Sequence, residues 1–169
     1  MTDPLPDIIA ERLVVIFCGI NPGLSAAAAG HHFVGRSNRF WRAIHLAGFT
    51  PQEILAENDR TILQHRCGLT TVVERPTARA DQLSAQDFLA SAVQFEQKIA
   101  RHAPRFVAFL GKAAYAALSG RRDVDWGAQQ AALGGAAVWV LPNPSGLNRG
   151  FSLDQLVSAY GQLYRAAFP

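Results

Sequence analysis

At 169 residues, with 49% apolar and 17% charged side chains, the chain has enough hydrophobic mass to bury a core and is not a disordered segment. Its 14 Gly and 9 Pro exclude fibrous and low-complexity classes, and no apolar run approaches the ~20 residues of a membrane span. The formal net charge is +3, and fourteen of the sixteen basic residues are arginine.

The opening residues, MTDPLPD, carry acids and prolines where a secretory leader would have a basic start and an apolar stretch, so a cytoplasmic location is expected. Arg12–Cys18, RLVVIFC, is a continuous β-branched and apolar run, the pattern of a strand covered on both faces. Gly19-Ile20-Asn21-Pro22-Gly23 ends it, and a polar-and-small loop is expected from Leu24 to Gly35. Ser37 or Asn38 then caps a helix with Phe40, Ala43, Ile44 and Ala47 on one face, closed by Gly48. A second helix is expected from Pro51 to about His65, and a short strand over Leu69–Val73. Ser84 caps a helix that buries Phe88, Ala92, Phe95 and Ile99 and stops before Pro104. Arg105–Leu110 is a second buried strand, turned by Gly111 into a helix over Lys112–Leu118; from Ser119 to Gly135 the pattern is weak. Ala136–Leu141 is a third strand, followed by the turn Pro142-Asn143-Pro144-Ser145-Gly146 and a helix opened by the capping box Ser152-x-x-Gln155.

Strands alternating with helices predict an α/β fold: a three-layer α/β/α sandwich around a mainly parallel sheet of 4–5 strands, one domain over residues 1–169 with no internal repeat. Ligands of such sheets bind at the carboxyl ends of the strands, and two strands here end in matching Asn-Pro turns, INPG and PNPSG.

Several chemistries lack their residues. No GxGxxG follows the first strand, and neither a P-loop nor a GxSxG nucleophile elbow is present. Cys18 and Cys67 are too few for a disulfide framework or a thiolate metal site and read as buried apolar residues. His31-His32 has no third ligand nearby, so no metal and no cofactor are expected. From Asn21 to Thr50 the chain holds Arg36, Arg39 and Arg42, three histidines and no acid, a stretch that suits a polyanion. Asn21, in a stiff turn at a strand's carboxyl end, reads either as a turn former or as an amide that fixes a water molecule; an amide cannot act as a general base. Phe33, in a polar loop, is either a buried anchor or a platform for a flat ring. Leu147, outside any periodic pattern and beside Arg149, is either folded back on the core or projected as a wedge for base stacks.

The segment VIFCGINPGLSAAAAGHHFVGRSNRFW, together with PNPSGLNR, closely resembles the mismatch-specific uracil/thymine DNA glycosylases, a branch of the uracil-DNA glycosylase superfamily. RCGLT, ERPT, LGKAAY and WVLPNPSG extend the resemblance over nearly the whole chain. It implies a monofunctional glycosylase that flips a base from duplex DNA holding G:U or G:T mismatches, as a monomer and with no membrane association. In that reading Asn21 positions the water and Asn143 opens the second motif, at a pocket position where other branches carry histidine. Phe33 stacks on the flipped base, within a pocket that includes Ile20, Gly23 and His32. Ser145, Gly146, Leu147, Asn148 and Arg149 form the wedge and the contacts to the widowed guanine. GHHF resembles the animal enzymes more than the bacterial ones, and Thr71 stands where the best-known bacterial form has a basic residue. The rival readings are a catalytically silent DNA- or nucleotide-binding module and a small-molecule hydrolase using Cys18 or a histidine, the latter without a matched base–nucleophile pair.

Overall fold

A computed structural model describes residues 5–169, so the first four residues of the MTDPLPD opening, on which the expectation about a leader partly rests, lie outside the described residues. Five strands form one sheet: β1 (Val15–Gly19), β2 (Cys67–Thr71), β3 (Phe106–Leu110), β4 (Gly127–Leu133) and β5 (Ala136–Leu141). Their spatial order is β2-β1-β3-β5-β4; all neighbours are parallel except the β4–β5 pair. The helices are α1 (Leu24–Ala29), α2 (Phe40–Ala47), α3 (Ala85–His102), α4 (Lys112–Ser119) and α5 (Leu153–Ala167).

The strand alternation divides the core into two layers. Val15 and Phe17 of β1, Ala108 and Leu110 of β3 and Leu141 of β5 face Phe40, Ile44, Leu156, Tyr160 and Leu163 of α2 and α5. Ile16 and Cys18, Val107 and Phe109, and Val138 and Val140 face the other way, onto Phe88, Phe95, Ile99, Ala114 and Tyr115 of α3 and α4. Side chains of period two on strands buried on both faces require helices on both faces, which is the predicted α/β/α sandwich.

Four elements differ from the sequence expectation. The Leu24–Gly35 stretch is not all loop: its four alanines, strong helix formers, carry α1, which Gly30 closes at φ 74° with its N–H on the Ala26 carbonyl. The Pro51–His65 helix is instead a 3-10 segment over Ala56–His65, broken at Asn58 (φ −108°, ψ 26°), where polar residues of low helix propensity cluster. The strand placed at Leu69–Val73 lies two residues earlier, at Cys67–Thr71. The weak Ser119–Gly135 region contains β4, an exposed edge strand of composition GAQQAAL joined to β5 through Gly134 and Gly135, at φ 56° and 86°. The remaining predicted helices and strands lie within a few residues of their expected places.

Candidate active site

β1 and β5 flank β3, so their carboxyl-end turns emerge two strand spacings apart, about 10 Å. Gly111, after β3, lies between them: a Cβ there would lie 3.7 Å from both the Asn143 Cβ and the Ile20 Cδ1. On the β1 side, the chain past β2 runs beside the first motif. Val72 N–H donates to the Gly19 carbonyl (3.1 Å), Val73 N–H to that of Ile20 (3.0 Å) and Thr77 N–H to that of Pro22 (3.1 Å). The Ile20 carbonyl is therefore already engaged. Gly23 precedes α1 in extended backbone and bridges to Thr77. Asn21 Nδ2 donates to the Arg75 carbonyl (2.6 Å) and the Thr77 hydroxyl (2.9 Å). A carbonyl only accepts, so the NH2 end must face Arg75 and the Oδ1 end is left to accept a donor from the cleft.

Phe33 forms the second wall. Its backbone is left-handed at φ 57°, a conformation that costs a non-glycine residue energy and that the surroundings hold in place. One ring face stacks on Phe40 at 4.2 Å between centroids, which supports the ring at the cleft edge. The preceding residue is pinned twice: His32 N–H donates to the buried Asp59 carboxylate (2.9 Å), and the Trp41 indole donates to the His32 carbonyl (3.1 Å). His31 Nδ1 lies 3.2 Å from the other Asp59 oxygen. The His32 ring is buried with Nε2 2.8 Å from the Pro6 carbonyl, so Nε2 carries the proton.

The second motif supplies the third wall. Asn143 Oδ1 accepts from Ser145 N–H (3.0 Å) and its carbonyl accepts from Asn148 Nδ2 (2.9 Å). Asn148 Oδ1 accepts from Gly150 N–H (3.2 Å), so both ends of that amide serve the loop itself. Ser145 Oγ accepts from Leu147 N–H at 3.1 Å. Gly146 lies against Ser37 so closely that a Cβ would meet its side chain and, at 2.8 Å, its carbonyl oxygen; the two motif loops touch there. Leu147 is 72% exposed and thus not a core leucine. Arg149 is exposed and has no protein partner among the described residues. Tyr160, buried on α5, donates its hydroxyl to the Pro142 carbonyl (2.8 Å) and fixes the root of the loop.

These walls enclose one cleft of about 420 Å³ that brings together Ile20, Asn21, Gly23, His32, Phe33, Asn143, Ser145, Gly146 and Leu147. Asn148 and Arg149 lie in the same loop but do not line it. Thr71, at the end of β2, contributes an uncharged wall. No carboxylate and no lysine line the cleft among the described residues; its only formally charged side chain is Arg79, which pairs with Asp81 at 3.2 Å. The cysteine route is closed: Cys18 is fully buried, its thiol pushed well up by burial, and burial raises Cys67 to about 12. Among the described residues no three His, Cys, Asp or Glu side chains are grouped to hold a metal.

The expected polyanion stretch is corrected in part. Arg39 turns inward onto the second-motif loop, whereas Arg36 and Arg42 stay exposed, Arg42 with its guanidinium 3.9 Å from the Glu53 carboxylate. Sequence reasoning also missed Asp59, Thr77 and Arg75, whose partners are 27 to 56 residues away and leave no spacing signal.

Burial holds the His32 ring below its ordinary 6.5, outweighing the Pro6 carbonyl and the Asp59 charge, which pull upward. The folded state thus resists a proton that the unfolded chain accepts. The stability this contributes is present above pH 6.5 and is lost as pH falls through the depressed folded value. Urea unfolding at pH 7.5 and pH 5 is expected to show lower stability in acid, and His32→Gln is expected to flatten that difference.

Fold and cleft together define an α/β/α sandwich protein with a cleft at the carboxyl ends of its parallel strands. The family model for the uracil DNA glycosylase superfamily matches residues 6–163, and the chain belongs to that superfamily. Among solved structures it is similar to the solution NMR structure of a Methanosarcina acetivorans protein named a candidate uracil DNA glycosylase, with 20% identity, a TM-score of 0.64 and 98% of each chain covered. At that identity the likeness speaks for the fold.

Proposed function

We propose that the protein is a monofunctional glycosylase of the mismatch-specific kind, which flips uracil out of a G:U mispair in duplex DNA and hydrolyses its N-glycosidic bond. Thymine and ethenocytosine opposite guanine are further candidate substrates. The observation that carries this reading is the single cleft that unites Asn21, Phe33, Asn143 and Leu147, with no carboxylate and no lysine among the described residues that line it.

A mispaired base is the least expensive to extrude, so a G:U pair is selected partly by its own weakness, and Leu147 fills the vacated stack. The flipped ring stacks on the free face of Phe33. Cleavage passes through an oxocarbenium-like sugar: the C1′–N1 bond breaks and its electron pair leaves with the pyrimidine. Main-chain N–H groups of the two motif loops stabilise that charge without a proton donor. A water accepted by Asn21 Oδ1 adds to C1′ and releases its proton to solvent. With no carboxylate to deprotonate that water, turnover is slow. With no lysine at the site, no Schiff base forms and the abasic strand stays uncut.

The test is a panel of duplexes, each with one modified base opposite guanine, scored for abasic sites with and without EDTA and with borohydride. Uracil release that is insensitive to EDTA, with no trapped adduct, is expected. Binding without base release would identify a silent binding module, and a borohydride-trapped adduct would defeat the monofunctional mechanism.

A further inference from the structure

We infer that Arg39 is a positioning residue that orders the 144–151 loop and so holds Leu147 ready for insertion, an inference that rests on the glycosylase reading above. Arg39 is half-buried immediately before α2, and its guanidinium reaches four main-chain carbonyls of the second-motif loop. Nη1 donates to Phe151 (2.6 Å), Nη2 to Ser145 (3.1 Å) and Asn148 (2.9 Å), and Nε to Pro144 (3.4 Å). Its own main-chain N–H adds a 3.0 Å bond to the Pro144 carbonyl. The acceptors span a turn-rich segment that belongs to no helix or strand, so this one side chain stands in for a ladder.

Only a planar fork with several donors can serve carbonyls arriving from four directions; a lysine ammonium is a point donor on a flexible stem. The geometry has two consequences. All three guanidinium nitrogens are engaged, so Arg39 is not disposed to bind a phosphate, in contrast to exposed Arg36. The loop is also ordered before DNA arrives. Leu147 is 72% exposed, with little packing of its own to hold it, and on a loose loop it would have to be immobilised at the moment of insertion. The close contact of Gly146 with Ser37, two residues before Arg39, anchors the loop in the same place.

Arg39→Lys and Arg39→Gln test this, read by hydrogen exchange across residues 144–151, melting temperature, and single-turnover excision from a G:U duplex and from an unpaired uracil. Arg39→Lys is expected to speed exchange in 144–151 about tenfold or more, the scale of one charge-assisted hydrogen bond lost. Exchange in β1 and β3 is expected to hold. Duplex excision should fall about tenfold, with a much smaller loss on the unpaired substrate. If Arg39→Lys keeps both loop protection and duplex rate while Arg39→Gln lowers the salt dependence of DNA binding by about one phosphate contact, Arg39 is a backbone contact and the inference is overturned. Equal losses on both substrates with a lowered melting temperature would overturn it too, as general support of the fold. Absence of base release by the wild type would instead defeat the glycosylase reading. The exchange comparison would then still decide whether Arg39 orders the loop.

Discussion

Replacing Asn21 by alanine is expected to slow single-turnover excision of uracil at least about a hundredfold, the scale of losing one preorganised polar group in a water-poor site. The expectation follows from how the amide is held. Its donor end is engaged at 2.6 and 2.9 Å by the Arg75 carbonyl and the Thr77 hydroxyl, so the carbonyl oxygen has one orientation and needs no reorganisation when water arrives. Among the described residues no carboxylate lines the cleft, and the Asn143 Oδ1 already accepts from Ser145 N–H. Asn21 is half-buried in the turn and makes no contact that would serve a phosphate, so duplex affinity is expected to change little. The checks are single-turnover kinetics on a G:U duplex beside equilibrium binding to the same duplex. A variant that cleaves at near the wild-type rate would refute the assignment of Asn21 as the water-positioning group.

Much of the site was legible because it depends on local chemistry. Two Asn-Pro turns follow two apolar runs, and a parallel sheet places strand ends on one edge; β1 and β5 flanking β3 then brings INPG and PNPSG to one cleft. The period-two alternation within VIFCG and FVAFL placed each side chain in one of the two core layers. What stayed hidden has no local signature. β4 is built from alanine and glutamine and stands at an edge with one neighbour, so neither propensity nor burial marks it. Its one usable signal was Gly134-Gly135, the two-residue turn of a hairpin. Arg39 looked like one more cation in a basic stretch, yet its acceptors lie 105 to 112 residues further along the chain. Asp59 is an acid in a polar segment whose buried role exists only once the His31-His32 turn folds against it.

Leu147→Ala is expected to slow excision from a G:U duplex about tenfold or more while losing much less on an unpaired uracil. The side chain fills a gap that exists only when a base has been drawn out of a stack, so its contribution is confined to substrates that must be opened, and unstacking a step costs a few kcal/mol. The 72% exposure of Leu147 makes the experiment clean, because truncating an exposed side chain leaves no core cavity and the melting temperature should hold. Arg149→Ala should give a related pattern that depends on the partner base. Its exposed guanidinium has no protein partner among the described residues, and a planar fork suits the acceptor edge of guanine, so the loss should be larger with guanine opposite than with adenine opposite. Three measurements settle it: rates on duplex and unpaired substrates, rates with each opposing base, and the melting temperature. If Leu147→Ala leaves the ratio of duplex to unpaired rates unchanged, the side chain takes no part in opening the duplex, and the wedge must be sought elsewhere in the 145–149 segment.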